Sequence, residues 1–177
     1  MPLRPGAALV LGMLRLGAES GYAIKRGVDV STRYFWSTSY AQVYPELKRL
    51  AEQGLVTRRE DPRGARQRSV HKVTPKGEDA LLEWLRSPRQ QLPTVRVEAA
   101  LRLFLADALP KEEQLELVRR MREGAERIAS RIRDEIVPLA VAFEDQGLRF
   151  PGITARFGAD IWAFAADWLS RLERELE

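Results

Sequence analysis

The alternation of apolar and polar positions divides the chain into a run of short helices, one hairpin and a long helical remainder. Pro5 to Leu16 places Ala8, Leu9, Leu11, Gly12, Leu14 and Leu16 on a broad apolar stripe, and Gly17 stops it. Ser20 caps a second helix, Gly21 to about Val30, with Tyr22, Ile24 and Val28 as its apolar members. After a polar and aromatic connection, Ser31 to Ser39, the positions Tyr40, Val43, Tyr44, Leu47, Leu50 and Ala51 recur at helical spacing until Gly54. Pro45 lies inside that period, where it removes a hydrogen bond. The phase runs through it unbroken, so the spacing predicts a kinked but continuous helix. Leu55 to Glu60 and Gln67 to Val73 then read as strands joined by a turn at Asp61-Pro62-Arg63-Gly64. Thr74-Pro75 opens a fourth helix that ends at Arg86.

Ser87 to Pro93 is the linker, which sets the expected domains at 1–87 and 94–177. Beyond it a helix over Val95 to Ala106 is followed by one opened by Pro110. In the latter Leu115, Val118, Met121, Ala125, Ile128, Ile132 and Ile136 recur every three or four residues. Pro138 kinks or ends this helix, Gln146-Gly147 breaks the chain, and a last helix runs from about Thr154 to Leu176. Phe157, Ile161, Phe164, Trp168 and Leu172 form one face of that helix. Trp162, Ala165, Ala166 and Leu169 widen the stripe beyond a single seam. Such a surplus fits either an ordinary intramolecular core or, the favoured reading, pairing with a second copy of the chain.

Charge adds a direction. Residues 1–90 carry 16 Lys and Arg against 9 Asp and Glu, whereas residues 91–177 carry 13 against 16. The excess concentrates between Thr57 and Lys76, within the hairpin, and calls for an anionic partner. Chemistry narrows the field further. The chain has no cysteine and a single histidine, His71, so thiolate catalysis, cysteine-ligated metals and histidine clusters are excluded. Carboxylates such as Glu112 and Glu113, or Asp134 and Glu135, are sequence neighbours and do not share a helix face, which disfavours an acid/base pair. No enzymatic activity, metal or cofactor is expected. Gly6 to Leu14 imitates a signal peptide's apolar core, but Arg15 interrupts it and no Ala-x-Ala site follows. No apolar run spans a membrane, and the expectation is a cytoplasmic protein.

Helix, helix, helix, basic hairpin, helix is the order of a winged helix-turn-helix, which lays its third helix in the DNA major groove and its wing on the flanking backbone. The residues then become specific: Leu9-Val10-Leu11-Gly12-Met13-Leu14, Gly21-Tyr22-Ala23-Ile24-Lys25, Phe35-Trp36, Val43-Tyr44-Pro45-Glu46-Leu47-Lys48-Arg49-Leu50 and Gly54-Leu55-Val56. Over about residues 7 to 86 the chain resembles the PadR family of bacterial transcriptional regulators, in its longer-tailed subgroup. The resemblance implies a proline inside the third helix as a rule, and a helical, dimerising carboxy-terminal domain. In one respect the chain departs from the family pattern, with Val70-His71 standing where a Tyr-Tyr pair is usual in the returning wing strand.

The expected fold class is therefore mainly α with a small β-hairpin wing, a winged helix-turn-helix domain followed by a helical dimerisation domain. The expected function is that of a homodimeric, sequence-specific DNA-binding regulator, a repressor responsive to an effector of unidentified chemistry and acting on a palindromic operator. The alternative is a winged-helix module that binds protein without specific DNA binding. Thr38, Ser39 and Gln42, short donors and acceptors at the start of the third helix, are the candidates for base readout. Tyr44 fits the core stripe with its ring or, as the resemblance suggests, a phosphate with its hydroxyl. Lys48 and Arg49 are candidates for phosphate, and Arg63, Arg66, Arg68 and Lys72 form the wing's electrostatic footprint. His71 is read as a packing or surface residue in preference to a pH switch. Trp36, Trp84, Trp162 and Trp168 are read as packing in preference to an effector pocket.

Overall fold

A computed structural model describes residues 3–61, 68–87 and 97–177. The chain divides into two compact units, Met1–Gln91 and Leu92–Glu177.

In the first unit, α1 (Pro5–Arg15) starts with proline in its first turn and ends on Gly17, whose φ of 95° only glycine adopts freely. Helix α2 (Gly21–Asp29) is capped by Ser20, whose hydroxyl accepts from the Ala23 N–H at 3.2 Å. A short 3-10 turn, Thr32–Tyr34, leads to α3 (Tyr40–Glu52). This helix is continuous through Pro45, as the unbroken phase predicts. Val43, Leu47 and Leu50 of α3 meet Leu11 of α1 and Ile24 and Val28 of α2 in a core that excludes water from all six. At about 1.5 to 3 kcal/mol for each side chain of this kind, that contact set fixes the angle at which α3 is presented.

Gly54, at φ 71°, ends α3 and delivers the chain into β1 (Val56–Asp61), which pairs antiparallel with β2 (Arg68–Val73). The register runs from Val56 opposite Val73 to Asp61 opposite Arg68. Strand β1 begins one residue later than the pattern predicts, because Leu55 is used by the helix end, its N–H donating to the Leu50 carbonyl at 2.9 Å; Gln67, the predicted start of the second strand, lies outside the described residues. The expected turn residues Pro62, Arg63 and Gly64 lie outside the described residues. A further hydrogen bond, His71 N–H to the Glu19 carbonyl at 2.8 Å, ties β2 to the loop before α2. Helix α4 (Pro75–Arg86) has the predicted bounds, with Thr74 Oγ1 accepting from Gly77 N–H at 3.1 Å and donating to the Gly54 carbonyl at 2.8 Å.

The second unit is helical: α5 (Glu98–Phe104), a 3-10 turn Ala106–Ala108, α6 (Lys111–Arg131), α7 (Val137–Val141) and α8 (Phe150–Leu176). Helix α5 is shorter than the predicted Val95 to Ala106; Val95 is outside the described residues, and the carboxy-terminal turn tightens to 3-10. The long helix does not stop at Pro138. Instead Ile132–Ile136 form a π turn, and α7 continues beyond it. A proline ring collides with the carbonyl four residues back, and the wider turn relieves that collision. Helix α8 starts at Phe150, four residues before the predicted Thr154, with Pro151 preorganising its first turn.

Helices α6 and α8 run antiparallel. Near the end of α8, Glu173 accepts from Arg119 Nε at 2.7 Å and from Arg122 Nε at 2.8 Å. Gly152, at its start, lies against Val141. These two guanidinium groups hold the Glu173 carboxyl below its ordinary range. Val118, Ala125, Ala166 and Leu169 form the buried seam. No helix among the described residues is long and apolar enough to cross a membrane.

Candidate nucleic-acid interface

The interface is built on the amino-terminal half of α3. Ser39 ends the extended connection and starts the helix, and Gln42 reaches back so that its Oε1 accepts from Ser39 N–H at 2.9 Å. The hydroxyls of Ser39 and Thr38 also reach Gln42 Oε1, at 3.3 and 3.4 Å. The three candidates for base readout are therefore one hydrogen-bonded group at an exposed helix end.

Tyr44 lies one turn further on. Its ring is not in the core despite its phase with Val43 and Leu47; it is 53% exposed and rests on the backbone of Gly21, where an added Cβ would come within 2.6 Å of the ring. Tyr40 stacks on Tyr44 with ring centroids 6.3 Å apart, and Tyr22 stacks on Tyr40 at 6.4 Å. Tyr22, expected among the apolar members of α2, is thus exposed, because Gly21, Ile24 and Val28 already fill the inward face. Lys25 and Arg26 lie over the rings of Tyr40 and Tyr22, at 5.8 and 5.9 Å, giving this surface a cationic rim.

Beside the ladder is an open groove lined by Ser20, Gly21, Tyr22, Arg26, Tyr44, Lys48, Arg58 and His71. It brings the amino-terminal end of α2, the positive end of its dipole, together with three cations from α2, α3 and β1. Lys48 is exposed and makes only a loose contact with Glu52 at 3.9 Å. Arg58 donates to Glu60 at 2.7 Å and to Ser69 Oγ at 3.2 Å, which holds it across the hairpin. Sequence reasoning placed Arg58 in the basic run but not among the contacts. A signal was present: strand period puts Arg58 on the face of Val56, toward the helices, and Arg59 on the opposite face.

The remaining candidates are placed differently. Arg49 is turned toward Glu46, donating through Nε and Nη2 at 3.0 and 2.6 Å, and Glu46 also accepts from Arg4. The structure does not bring Arg49 to the groove. Lys72 stands opposite Thr57, on the face of the hairpin away from Arg58, and Arg68 stands opposite Asp61 at the far end of the ladder. Arg63 and Arg66 lie outside the described residues.

His71 is buried, 7% exposed, as the packing reading expects, and its Nδ1 has no hydrogen-bond partner among the described residues. Burial and the positive charge of Arg58 lower its pKa from the ordinary 6.5. Two of the four tryptophans lie in each unit. Trp84 packs on the first unit's core and Trp36 is exposed at the end of its 3-10 turn. In the second unit Trp162 packs on the α6–α8 seam and Trp168 is exposed. Among the described residues no cluster of three potential metal ligands exists.

A capped helix presented by a three-helix core, with a hairpin alongside and cations converging on both, defines a winged helix-turn-helix protein. Residues 10–83 match the Transcriptional regulator PadR-like family. Over 109 residues the chain is 32% identical to the Negative transcriptional regulator PadR of Bacillus subtilis (strain 168), an overlap of 61% of this chain and 60% of that protein. The similarity thus spans less than two thirds of that relative's length. The fold is similar throughout to the crystal structure of Bacillus subtilis PadR in complex with operator DNA, with a TM-score of 0.85 at 24% identity, covering 98% of this chain and 100% of that one. It is also similar to the Bacillus subtilis PadR structure in complex with p-coumaric acid, with a TM-score of 0.78 at 23% identity, covering 98% and 99%.

Proposed function

We propose that the protein is a homodimeric, sequence-specific DNA-binding transcriptional regulator, a repressor that acts in the cytoplasm by binding and not by catalysis. The observation that carries this reading is the convergence of the capped α3 end, the α2 amino terminus, Lys48 and Arg58 on one exposed surface of a PadR-like domain. In this reading Thr38, Ser39 and Gln42 meet base edges, while Tyr44, Lys48 and Arg58 meet phosphates; Arg49, turned to Glu46, is not among them. Arg63, Arg66, Arg68 and Lys72 carry the wing onto the neighbouring backbone.

The domain of residues 1–87 reads DNA and that of residues 94–177 pairs the subunits. Phe150, Phe157, Ile161, Phe164 and Trp168 leave a stripe of exposed apolar side chains along α8, which suits a second copy. Two such domains would meet half-sites about 34 Å apart on a palindromic operator. Since the Bacillus subtilis relative was solved with p-coumaric acid, we include a small-molecule effector, which would release DNA by favouring one placement of the two domains over another.

A salt series with a duplex from the protein's own promoter region tests this. Binding should prefer that duplex to a scrambled one and weaken steeply with salt. Lys48→Ala and Arg58→Ala should each reduce the log–log salt slope by about 0.9. No preference for the promoter duplex, even at low salt, would end the proposal.

A further inference from the structure

We propose that His71 is a proton-sensitive latch for the wing: its neutral ring seats the hairpin against α2, and its protonation at mildly acid pH releases that seat and weakens the grip on DNA. This rests on the DNA-binding reading above.

Three observations place the latch. His71 is the chain's only histidine and is buried in the middle of β2, and its own N–H donates to the Glu19 carbonyl at 2.8 Å, where the hairpin joins the loop before α2. Its Nδ1 is buried and has no partner among the described residues, so a proton added there meets no acceptor among them. The charges around it are mostly of the wrong sign. Arg58 stands directly across the ladder, and Arg26 of α2 and Lys48 of α3 line the same groove. Of the carboxylates, Glu60 is held by Arg58 and Ser69, and Glu19 is exposed in the joining loop. From α3, Tyr44 also lines the groove, and Arg15 at the end of α1 pairs with Glu78 of α4. The seated imidazole therefore disfavours the charged form, while an unseated one in water binds protons with the ordinary pKa of 6.5. The sign follows: seating is fully supported above 6.5 and is lost progressively as pH falls below it.

The decisive comparison is wild type against His71→Phe, which keeps a buried ring and removes the titration. Between about pH 7.5 and about pH 5.5 wild-type affinity for the promoter duplex should fall about tenfold more than that of the variant. Parallel profiles, or wild-type binding that tightens with acid through His71, would overturn the proposal. A second readout needs neither the variant nor DNA. In the intact protein the single histidine ring should titrate below 6.5 by NMR, and amide protection across residues 69–73 should fall in step with it. A ring titrating at its ordinary value with unchanged protection would refute the latch. Failure to bind DNA at any pH would instead refute the regulator.

Discussion

Gln42 shows how one side chain can serve the fold and the site at once. Its Oε1 is engaged by Ser39 N–H, while its amide nitrogen has no partner among the described residues and stands at an exposed helix end. Glutamate would preserve the back-bond to Ser39, since Ser-x-x-Glu is the commoner form of the same box. It would also place a negative charge where phosphates and base acceptors are expected. Gln42→Glu should therefore leave the melting temperature nearly unchanged and reduce promoter affinity by about tenfold or more, measured by anisotropy on the folded variant. A variant that binds normally would remove Gln42 from the readout group. The sequence made Ser39 and Gln42 visible as a cap and an off-stripe amide, because both properties are local. Tyr44 was not resolvable in that way, since its phase is that of the core. Only the packing of α2 reveals that its ring lies over Gly21 and stays half exposed.

At the scale of elements, α4 approaches the chain entering the hairpin closely at Gly77. A Cβ on Gly77 would lie 2.1 Å from the Leu55 carbonyl oxygen, a backbone atom that cannot swing aside. Gly77→Ala should cost about 3 kcal/mol by overpacking, read as a lowered melting temperature. An unchanged melt would show that α4 and the strand can part without penalty. Helix α4 itself was fully legible, because Thr74-Pro75 marks its start by chemistry that acts within one turn. The close approach of Gly77 was not, being a property of two elements brought together. The same distinction explains the second unit. The apolar period announced the long helix but said nothing of how the chain would absorb Pro138, which it does by a π turn facing α8. The start of α8 was missed because Phe150 and Pro151 precede the periodic stretch used to detect it.

For the whole molecule, the wide apolar surface of α8 resolves into two flanks. Trp162, Ala166 and Leu169 turn toward α6, while Phe157, Ile161, Phe164 and Trp168 are 44 to 65% exposed. The sequence showed that the stripe was too wide for one neighbour. It could not show which flank α6 takes, because both are apolar and only the antiparallel pairing decides. Phe157→Glu with Phe164→Glu should leave the α6–α8 seam intact, convert a dimer to a monomer in sedimentation, and lower promoter affinity by removing the second half-site. A double variant that sediments unchanged would exclude this face as the subunit contact. Under the proposed pairing the stripe also bears on gene dosage. A species that reads its operator only as a pair forms in proportion to the square of the free subunit concentration, so halving the supply of chain would cut operator occupancy by up to about fourfold where pairs are scarce. A set of exposed phenylalanines would thereby sharpen the threshold between a silent promoter and an active one.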